Sequence, residues 1–311
     1  MRVRDAFAGG LAGLARFRWL PYVLLTTSML IYASSYVVGR AVRDEIPPVT
    51  LAFWRAALAC TILLPFVWTD LERYASVLRQ HWRLVVLLGV TQSIVGQALV
   101  FWGLHTTTAI NTALISSLQP VFIMALAVPL IGEHMTNWQR LGIAIAFVGG
   151  LTAITRGDLS VLLNLAFVEG DLMILIATVS WSIYTVLVKR APADINPFVV
   201  FFALTAVGAA ILLPLHLAEA AVLGGYFTPT LGAIAAVLHI AVFNSIVALV
   251  FLNIGIVQLG PSRVAVFYYL MPVFTAFIAI AALDEALSLY HFACLALVAA
   301  GVFLSSRARP A

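Results

Sequence analysis

The chain has 311 residues, of which 63% are hydrophobic and only 10% are charged, and its mean hydropathy is +1.07. A soluble domain carries about 25% charged residues, so this composition excludes a water-soluble domain and suits lipid as the solvent. The net charge of +4 suggests nucleic acid at first sight, but the placement of the basic residues indicates membrane topology instead.

Apolar runs of about 20 residues predict ten membrane-spanning helices. These runs do not alternate with polar residues, which excludes a β-barrel. Residues 1–19 form a basic N-terminal segment, which is either an interfacial amphipathic helix or a solvated tail, and residues 307–311 form a C-terminal tail. The helices are predicted near 20–39, 48–68, 83–104, 108–131, 138–155, 168–188, 197–217, 231–254, 262–283 and 288–305.

The same pattern occurs twice in the chain. Leu118–Phe122 returns as Leu270–Phe274 after a shift of 152 residues, and upstream a shift of 149 carries Pro48 onto Pro197. The repeats are therefore predicted at 20–156 and 168–306, joined by a linker at 157–167. Since five helices are an odd number, the second repeat must be inverted, which is a device for alternating access in transporters. The fold class is thus an all-α membrane protein with two inverted five-helix repeats.

Basic residues lie mostly on one side of the predicted membrane. With a cytoplasmic N-terminus, the inner side receives thirteen of the 17 Lys and Arg residues. The outer side receives Arg40, Arg43 and Arg156, and Arg55 lies within a helix. This positive-inside bias predicts a multi-pass protein of the plasma (inner) membrane with both termini in the cytoplasm.

Several motifs resemble EamA-type members of the drug/metabolite transporter superfamily. They are Pro47-Pro48 with Phe53-Trp54-Arg55, Ser116–Phe122 with Gly132-Glu133, and Pro272-Val273-Phe274 with Glu285. The resemblance implies a central cavity formed by the first four helices of each repeat, with the fifth at the periphery. It also implies export of amino acids, their derivatives or other small metabolites. The alternatives are a non-transporting receptor, a lipid-modifying enzyme, or a carrier of drugs or nucleotide sugars.

Two prolines fall within predicted helices at equivalent positions of the repeats. Pro120 and Pro272 each remove one backbone hydrogen bond, which is predicted to leave the carbonyls of Ser116 and Tyr268 without their usual partners. In a membrane such groups must find another donor, and a substrate ammonium would serve. The prolines are therefore predicted hinges beside a ligand site; a plain structural kink is the alternative.

Aromatic residues lie deeper than an interfacial belt requires. Tyr32 and Tyr36 are one helical turn apart, as are Trp181 and Tyr184, and the shift of 149 superposes Tyr32 on Trp181. Buried Tyr and Trp need polar partners, which a hydrated cavity supplies, although helix packing also explains each residue singly. This pattern favours aromatic or large apolar amino acids as substrates. The predicted substrate-binding residues are Tyr32, Tyr36, Ser116, Gln119, Trp181, Tyr184, Asn244 and Tyr268.

Arg55 is the one charge well inside a predicted helix. An arginine there costs about 2.5–3.5 kcal/mol on insertion scales, so it should face the interior or extend its side chain to the interface. It is predicted either to contact a substrate carboxylate or to form a structural ion pair with Asp284 or Glu285. The fold does not require the charge, since the equivalent residue of the second repeat is Leu204.

No motif for catalysis or cofactor binding is visible. The six histidines lack metal-ligand spacing, and no phosphate-binding loop or nucleophile motif occurs. The prediction is a protein that is not an enzyme and has no metal or cofactor, with a small-molecule substrate and the bilayer as partners, no nucleic acid, and a monomeric state. All thirteen acidic residues fall in predicted loops, tails or helix ends, which predicts a facilitative carrier, because proton-coupled carriers use an intramembrane ionisable group.

The topology generates the first testable prediction. A cysteine replacing Asp158, in the linker between the repeats, should react in intact cells with a membrane-impermeant maleimide, because inversion puts this linker outside. Arg79→Cys, in a predicted inner loop, is the control and should react only after permeabilisation. Labelling of position 79 but not 158 in intact cells would contradict the inverted arrangement.

Overall fold

The structure is a computed structural model that describes residues 19–132, 136–158, 160–161, 167–190, 195, 197–223, 229–259 and 267–306. The N-terminal segment 1–18, Glu133, most of the linker and the tail 307–311 lie outside the described residues. Within them every regular element is a helix, as predicted.

The first repeat contains five helical rods. Two of them are interrupted: α3 has a π-helical middle, and α4 has a two-residue turn that separates its halves α4a and α4b. The bounds are α1 Leu20–Ala41, α2 Pro48–Gln80, α3 Trp82–Gly89 with Val90–Ala98 (π) and Leu99–Gly103, α4a Ala109–Ser116, α4b Gln119–Ile131 and α5 Asn137–Ile154.

The second repeat has the same order of elements. Its bounds are α6 Glu169–Leu187, α7 Pro197–Val222, α8 Leu231–Leu238 with His239–Ala248 (π) and Leu249–Leu259, α9 Leu270–Leu283 and α10 Leu289–Ser306. Among the described residues, seven helices are long and apolar enough to cross a membrane, and two shorter apolar helices lie in α9 and α10. The prediction of ten helices in two five-helix repeats is confirmed.

Helices begin at equivalent residues in the two repeats. A shift of 149 carries the first residues of α1, α2 and α3 onto those of α6, α7 and α8, and it carries the start of one π segment, Val90, onto the start of the other, His239. A shift of 152 carries Asn137 of α5 onto Leu289 of α10. Local sequence therefore produces the same backbone irregularity twice. Such π segments are frequently found at functional sites.

The two repeats pack by exchanging partners. Helix α1 packs on α8 and α9 of the second repeat, while its equivalent α6 packs on α3 and α4 of the first. The pairs α2–α7 and α5–α10 each join a helix to its own equivalent. The interior is thus built from α1–α4 and α6–α9, and the pair α5–α10 forms a separate layer with its main contact within itself.

Small residues allow the backbones of α5 and α10 to approach closely. A Cβ at Gly301 would lie 2.4 Å from the carbonyl oxygen of Gly142 and 2.7 Å from the backbone nitrogen of Ala146. This is the type of helix contact that small residues permit in lipid. The small-residue face of α5 is therefore used within the chain.

Two carboxylates hold helix N-termini that belong to the other repeat. Glu219 of α7 accepts hydrogen bonds from the backbone N–H groups of Val49 (3.1 Å) and Thr50 (2.7 Å) at the start of α2, and from the Thr50 hydroxyl (2.8 Å). Glu285 accepts from the N–H groups of Ala109 (2.8 Å) and Ile110 (3.0 Å) at the start of α4a. A negative charge at a helix N-terminus is favourable, because unpaired N–H groups and the helix dipole both point towards it.

The Glu219 contact gives a stability prediction. Glu219→Ala should destabilise the protein by about 1–2 kcal/mol, the usual cost of losing an N-terminal cap, and lower the melting temperature of the purified protein by roughly 2–8 °C. The matched control is Glu72→Ala, because Glu72 is exposed on α2, the helix of the first repeat that is equivalent to α7. This substitution should leave the melting temperature unchanged. Equal melting temperatures for both variants would contradict the capping role.

Candidate functional site

A cluster of tyrosines lies between the two repeats. Tyr32 and Tyr36 of α1 pack with Tyr268 around an apolar group from α1, α8 and α9 that includes Met29. Tyr184 of α6 lies near Tyr32 and Tyr268. The structure therefore brings together four of the predicted site residues, which we name the tyrosine cluster (Tyr32, Tyr36, Tyr184 and Tyr268).

Polar contacts extend the tyrosine cluster towards α4. The Tyr36 hydroxyl donates a hydrogen bond to the Ser116 hydroxyl (3.1 Å) at the end of α4a. Three residues further along the chain, the carbonyl of Gln119 accepts a hydrogen bond from the hydroxyl of Ser182 (3.3 Å) on α6. The side chains of Gln119 and Asn244 are both half-buried, and within the described residues neither amide is in a hydrogen bond.

Trp181 binds the π segment of α3. Its indole N–H donates to the carbonyl of Gly96 (3.0 Å), and its ring meets Tyr184 edge-on with centroids 5.4 Å apart. A Cβ at position 96 would lie 2.5 Å from the Thr91 carbonyl oxygen and 3.0 Å from the indole nitrogen. Glycine is required here so that the indole can reach a carbonyl that the wide π turn leaves available.

The prolines lie beside real interruptions of their helices. Turns at residues 117–118 and 268–269 precede α4b and α9, and Pro120 and Pro272 are early residues of those helices rather than mid-helix residues. The carbonyl of Tyr268 accepts a hydrogen bond from the N–H of Met271 (3.1 Å). The prediction that this carbonyl lacks a partner is therefore wrong. Pro272 cannot donate the usual hydrogen bond from four residues later, but the turn lets the N–H of Met271, three residues later, donate instead.

Arg55 is buried, with 2% of its surface exposed, so it does not extend to the interface. Its Nη1 donates to the Ser245 hydroxyl (2.8 Å) in the π segment of α8, and that hydroxyl donates to the carbonyl of Ile240 (3.2 Å). Among the described residues, its Nε and Nη2 have no hydrogen-bond partner. Arg55 also lies near Tyr32, so it borders the tyrosine cluster.

The predicted ion pair of Arg55 is not formed within the described part of the chain. Glu285 uses both carboxylate oxygens on the N-terminus of α4a, and Asp284 is exposed in a left-handed backbone conformation (φ 54°) that ends α9. The helix N-terminus competes successfully for the Glu285 carboxylate because it offers two N–H groups in fixed positions.

The sequence pattern did not predict that the carboxylate of Asp171 is buried. Asp171 lies at the start of α6, as expected for a helix end, yet it is fully buried. Its Oδ1 accepts hydrogen bonds from the hydroxyl of Thr107 and from the amide of Asn111 (2.9 Å), whereas its Oδ2 has no partner. The burial of Asp171 could have been predicted from Gly103 and Gly170. Because these residues have no side chains, α3 and α6 can approach each other closely beside Asp171.

No potential metal site occurs in the described residues, where no group of three or more His, Cys, Asp or Glu side chains converges. Among the described residues, the buried polar side chains are hydroxyls, amides, the imidazoles of His216 and His291, the guanidinium of Arg55 and the carboxylates of Asp70 and Asp171. Such a set can bind and orient a small polar solute by hydrogen bonds and charge. It offers no activated nucleophile within the described residues.

Two segments of the chain match a known protein family. Residues 19–155 and 168–307 each match the model of the EamA-like transporter family. An uncharacterized transporter of Bacillus subtilis (strain 168), YyaM, is 29% identical over 260 residues, which cover 84% of this chain and 85% of the relative. An uncharacterized transporter of Archaeoglobus fulgidus is 28% identical over 288 residues, covering 92% and 96%.

A solved crystal structure shares the fold. It superposes with a TM-score of 0.61 at 20% sequence identity, covering 93% of this chain and 96% of the other. At this identity the likeness concerns the arrangement of helices alone.

Proposed function

This chain belongs to the EamA-like transporter family, and we propose that it is an inner-membrane exporter of small metabolites that works by alternating access. The proposed substrates are amino acids, with a preference for aromatic or large apolar ones. It is proposed to act as a monomer with both termini in the cytoplasm. The observation that carries this proposal is the tyrosine cluster, because it combines apolar enclosure with a few polar contacts, the usual composition of a small-molecule site.

The position of the tyrosine cluster supports alternating access. Its members come from α1, α6 and the turn before α9, so they belong to both repeats. A site on the boundary between two similar halves can open to either side when one half rocks against the other. The interrupted segments of α3, α4 and α8 also lie at contacts between the repeats, where side chains satisfy carbonyls at Thr91, Gly96, Gln119 and Ala248.

The primary test is transport itself. The purified full-length protein in liposomes should exchange labelled phenylalanine, tryptophan or leucine for the same unlabelled amino acid inside. Exchange of a nucleotide sugar or a cationic drug, with no amino acid exchanged, would favour another class of carrier. A protein that exchanges none of these solutes would favour a receptor or a lipid-modifying enzyme.

Substitutions at Trp181 test the site. Trp181→Ala should lower the rate of exchange at least about tenfold, because it removes a buried aromatic surface, while Trp181→Phe should lower it about 2–10-fold through loss of the hydrogen bond to Gly96. Phe277→Ala is the control, since Phe277 is 73% exposed on α9. Exchange by Trp181→Ala at the wild-type rate, with protein that elutes as wild type in size-exclusion chromatography, would contradict the assignment.

Energy coupling is a separate prediction. Without a mid-membrane acid, the carrier should equilibrate its substrate and not concentrate it when a pH gradient is imposed on the liposomes. The measurement is the ratio of internal to external labelled amino acid at steady state, with and without the gradient. Accumulation driven by the gradient would contradict a facilitative carrier, and Asp171 would then be the first residue to substitute.

A further inference from the structure

The Arg55 side chain has an unused hydrogen-bonding edge. Its Nη1 donates to the Ser245 hydroxyl, whereas Nε and Nη2 are buried and have no acceptor within the part of the chain that the structure describes. These two nitrogens form one side of the planar guanidinium, the side that binds both oxygens of a carboxylate through two parallel hydrogen bonds. The vacant donors therefore have the geometry that recognises a carboxylate.

A buried cation without acceptors is costly. Each unpartnered buried donor loses its hydration, and the penalty is larger for charged groups than for neutral ones. Within a membrane, an ionisable residue without a protein partner indicates a functional site. Neither Asp284 nor Glu285 compensates Arg55, as described above, and no other acidic side chain of the described residues forms an ion pair with it.

The repeat shows that the fold does not need this cation. The shift of 149 carries Arg55 onto Leu204, which is fully buried, and carries Gly96 onto Ser245. The same shift carries Tyr32 onto Trp181. The two copies have therefore diverged at three positions that lie together.

The divergence has a chemical direction. Each of the two equivalent environments is formed by residues of both repeats. In one environment the indole of Trp181 covers the Gly96 carbonyl and leaves no room for a Cβ at position 96. In the other, Tyr32 is the smaller aromatic residue, and the polar pair Arg55 and Ser245 replaces Leu204 and Gly96. The first environment is filled by apolar packing, and the second keeps charged donors without an acceptor among the described residues.

We propose that Arg55, oriented by Ser245, binds the carboxylate of the transported amino acid, with the amino-acid side chain directed to the tyrosine cluster. This inference rests on the proposed function and narrows its substrate class to molecules with a carboxylate. Both vacant nitrogens are shielded from solvent, so the structure corresponds to a closed site.

The experiment uses matched sets of compounds on the purified full-length protein. The probes are phenylalanine, tryptophan and leucine, each with its carboxamide and its decarboxylated amine. We expect thermal stabilisation of the wild type by the three acids and none by the six derivatives. Arg55→Leu introduces the residue found at the equivalent position of the second repeat. It should raise the concentration of each acid that gives half of the maximal stabilisation on the order of 10–100-fold.

Two controls separate recognition from folding. Without ligand, Arg55→Leu should melt at the wild-type temperature or above it, because removing an uncompensated buried cation relieves a cost. Arg79→Leu changes an exposed arginine of the same helix and should leave stabilisation by the acids unchanged. A fall of several degrees in the melting temperature of unliganded Arg55→Leu would show a structural role and overturn the proposal.

The remaining outcomes distinguish this inference from the proposed function. If amides and amines stabilise the wild type as well as the acids do, and Arg55→Leu retains this, the carboxylate site is wrong while amino-acid-type transport stands. If none of the nine compounds stabilises the wild type and none is exchanged in liposomes, the amino-acid class and the carboxylate site both fail.

Discussion

The interrupted stretches of backbone in this membrane protein must find hydrogen-bond partners, because lipid supplies none. The π segments of α3 and α8 widen their helices and leave carbonyls available. Side chains from the other repeat satisfy them: Ser180 donates to Thr91 and Trp181 to Gly96 (2.9 and 3.0 Å), and Ser28 of α1 donates to Ala248 (2.8 Å). The first helix of each repeat is thereby bonded to the third helix of the other.

These hydrogen bonds between the repeats explain the position of the tyrosine cluster. The donors on α1 and α6 are neighbours of the residues that form the tyrosine cluster, so the contacts that satisfy the backbone also position the aromatic rings. At the helix ends, the carboxylates of Glu219 and Glu285 hold α2 and α4a from the opposite repeat. By the shift of 149, Asp70 is equivalent to Glu219 and is buried, so we expect its carboxylate to accept hydrogen bonds from the start of α7.

Symmetry of the fold and asymmetry of the site have different physical origins. Helix starts, π segments and interhelical pairs follow the repeat because they depend on local backbone chemistry, which both copies share. In the proposed mechanism the substrate meets one central site, so selection can act on one copy of each interior position. Arg55 and Leu204 illustrate the result: one position carries an uncompensated cation, and its equivalent is an ordinary apolar core residue.

The sequence by itself determined the helices and their repetition, since apolar runs of membrane length and a fixed shift are local properties. It also singled out the tyrosines and Arg55, because deep aromatic and charged residues are costly in lipid. The tertiary structure decided the partners: it assigned Glu285 to a helix N-terminus instead of Arg55, restored the bond of the Tyr268 carbonyl and buried Asp171 between α3 and α6. Such pairings join residues far apart in the chain, and competition among several possible acceptors is settled only when the helices are packed.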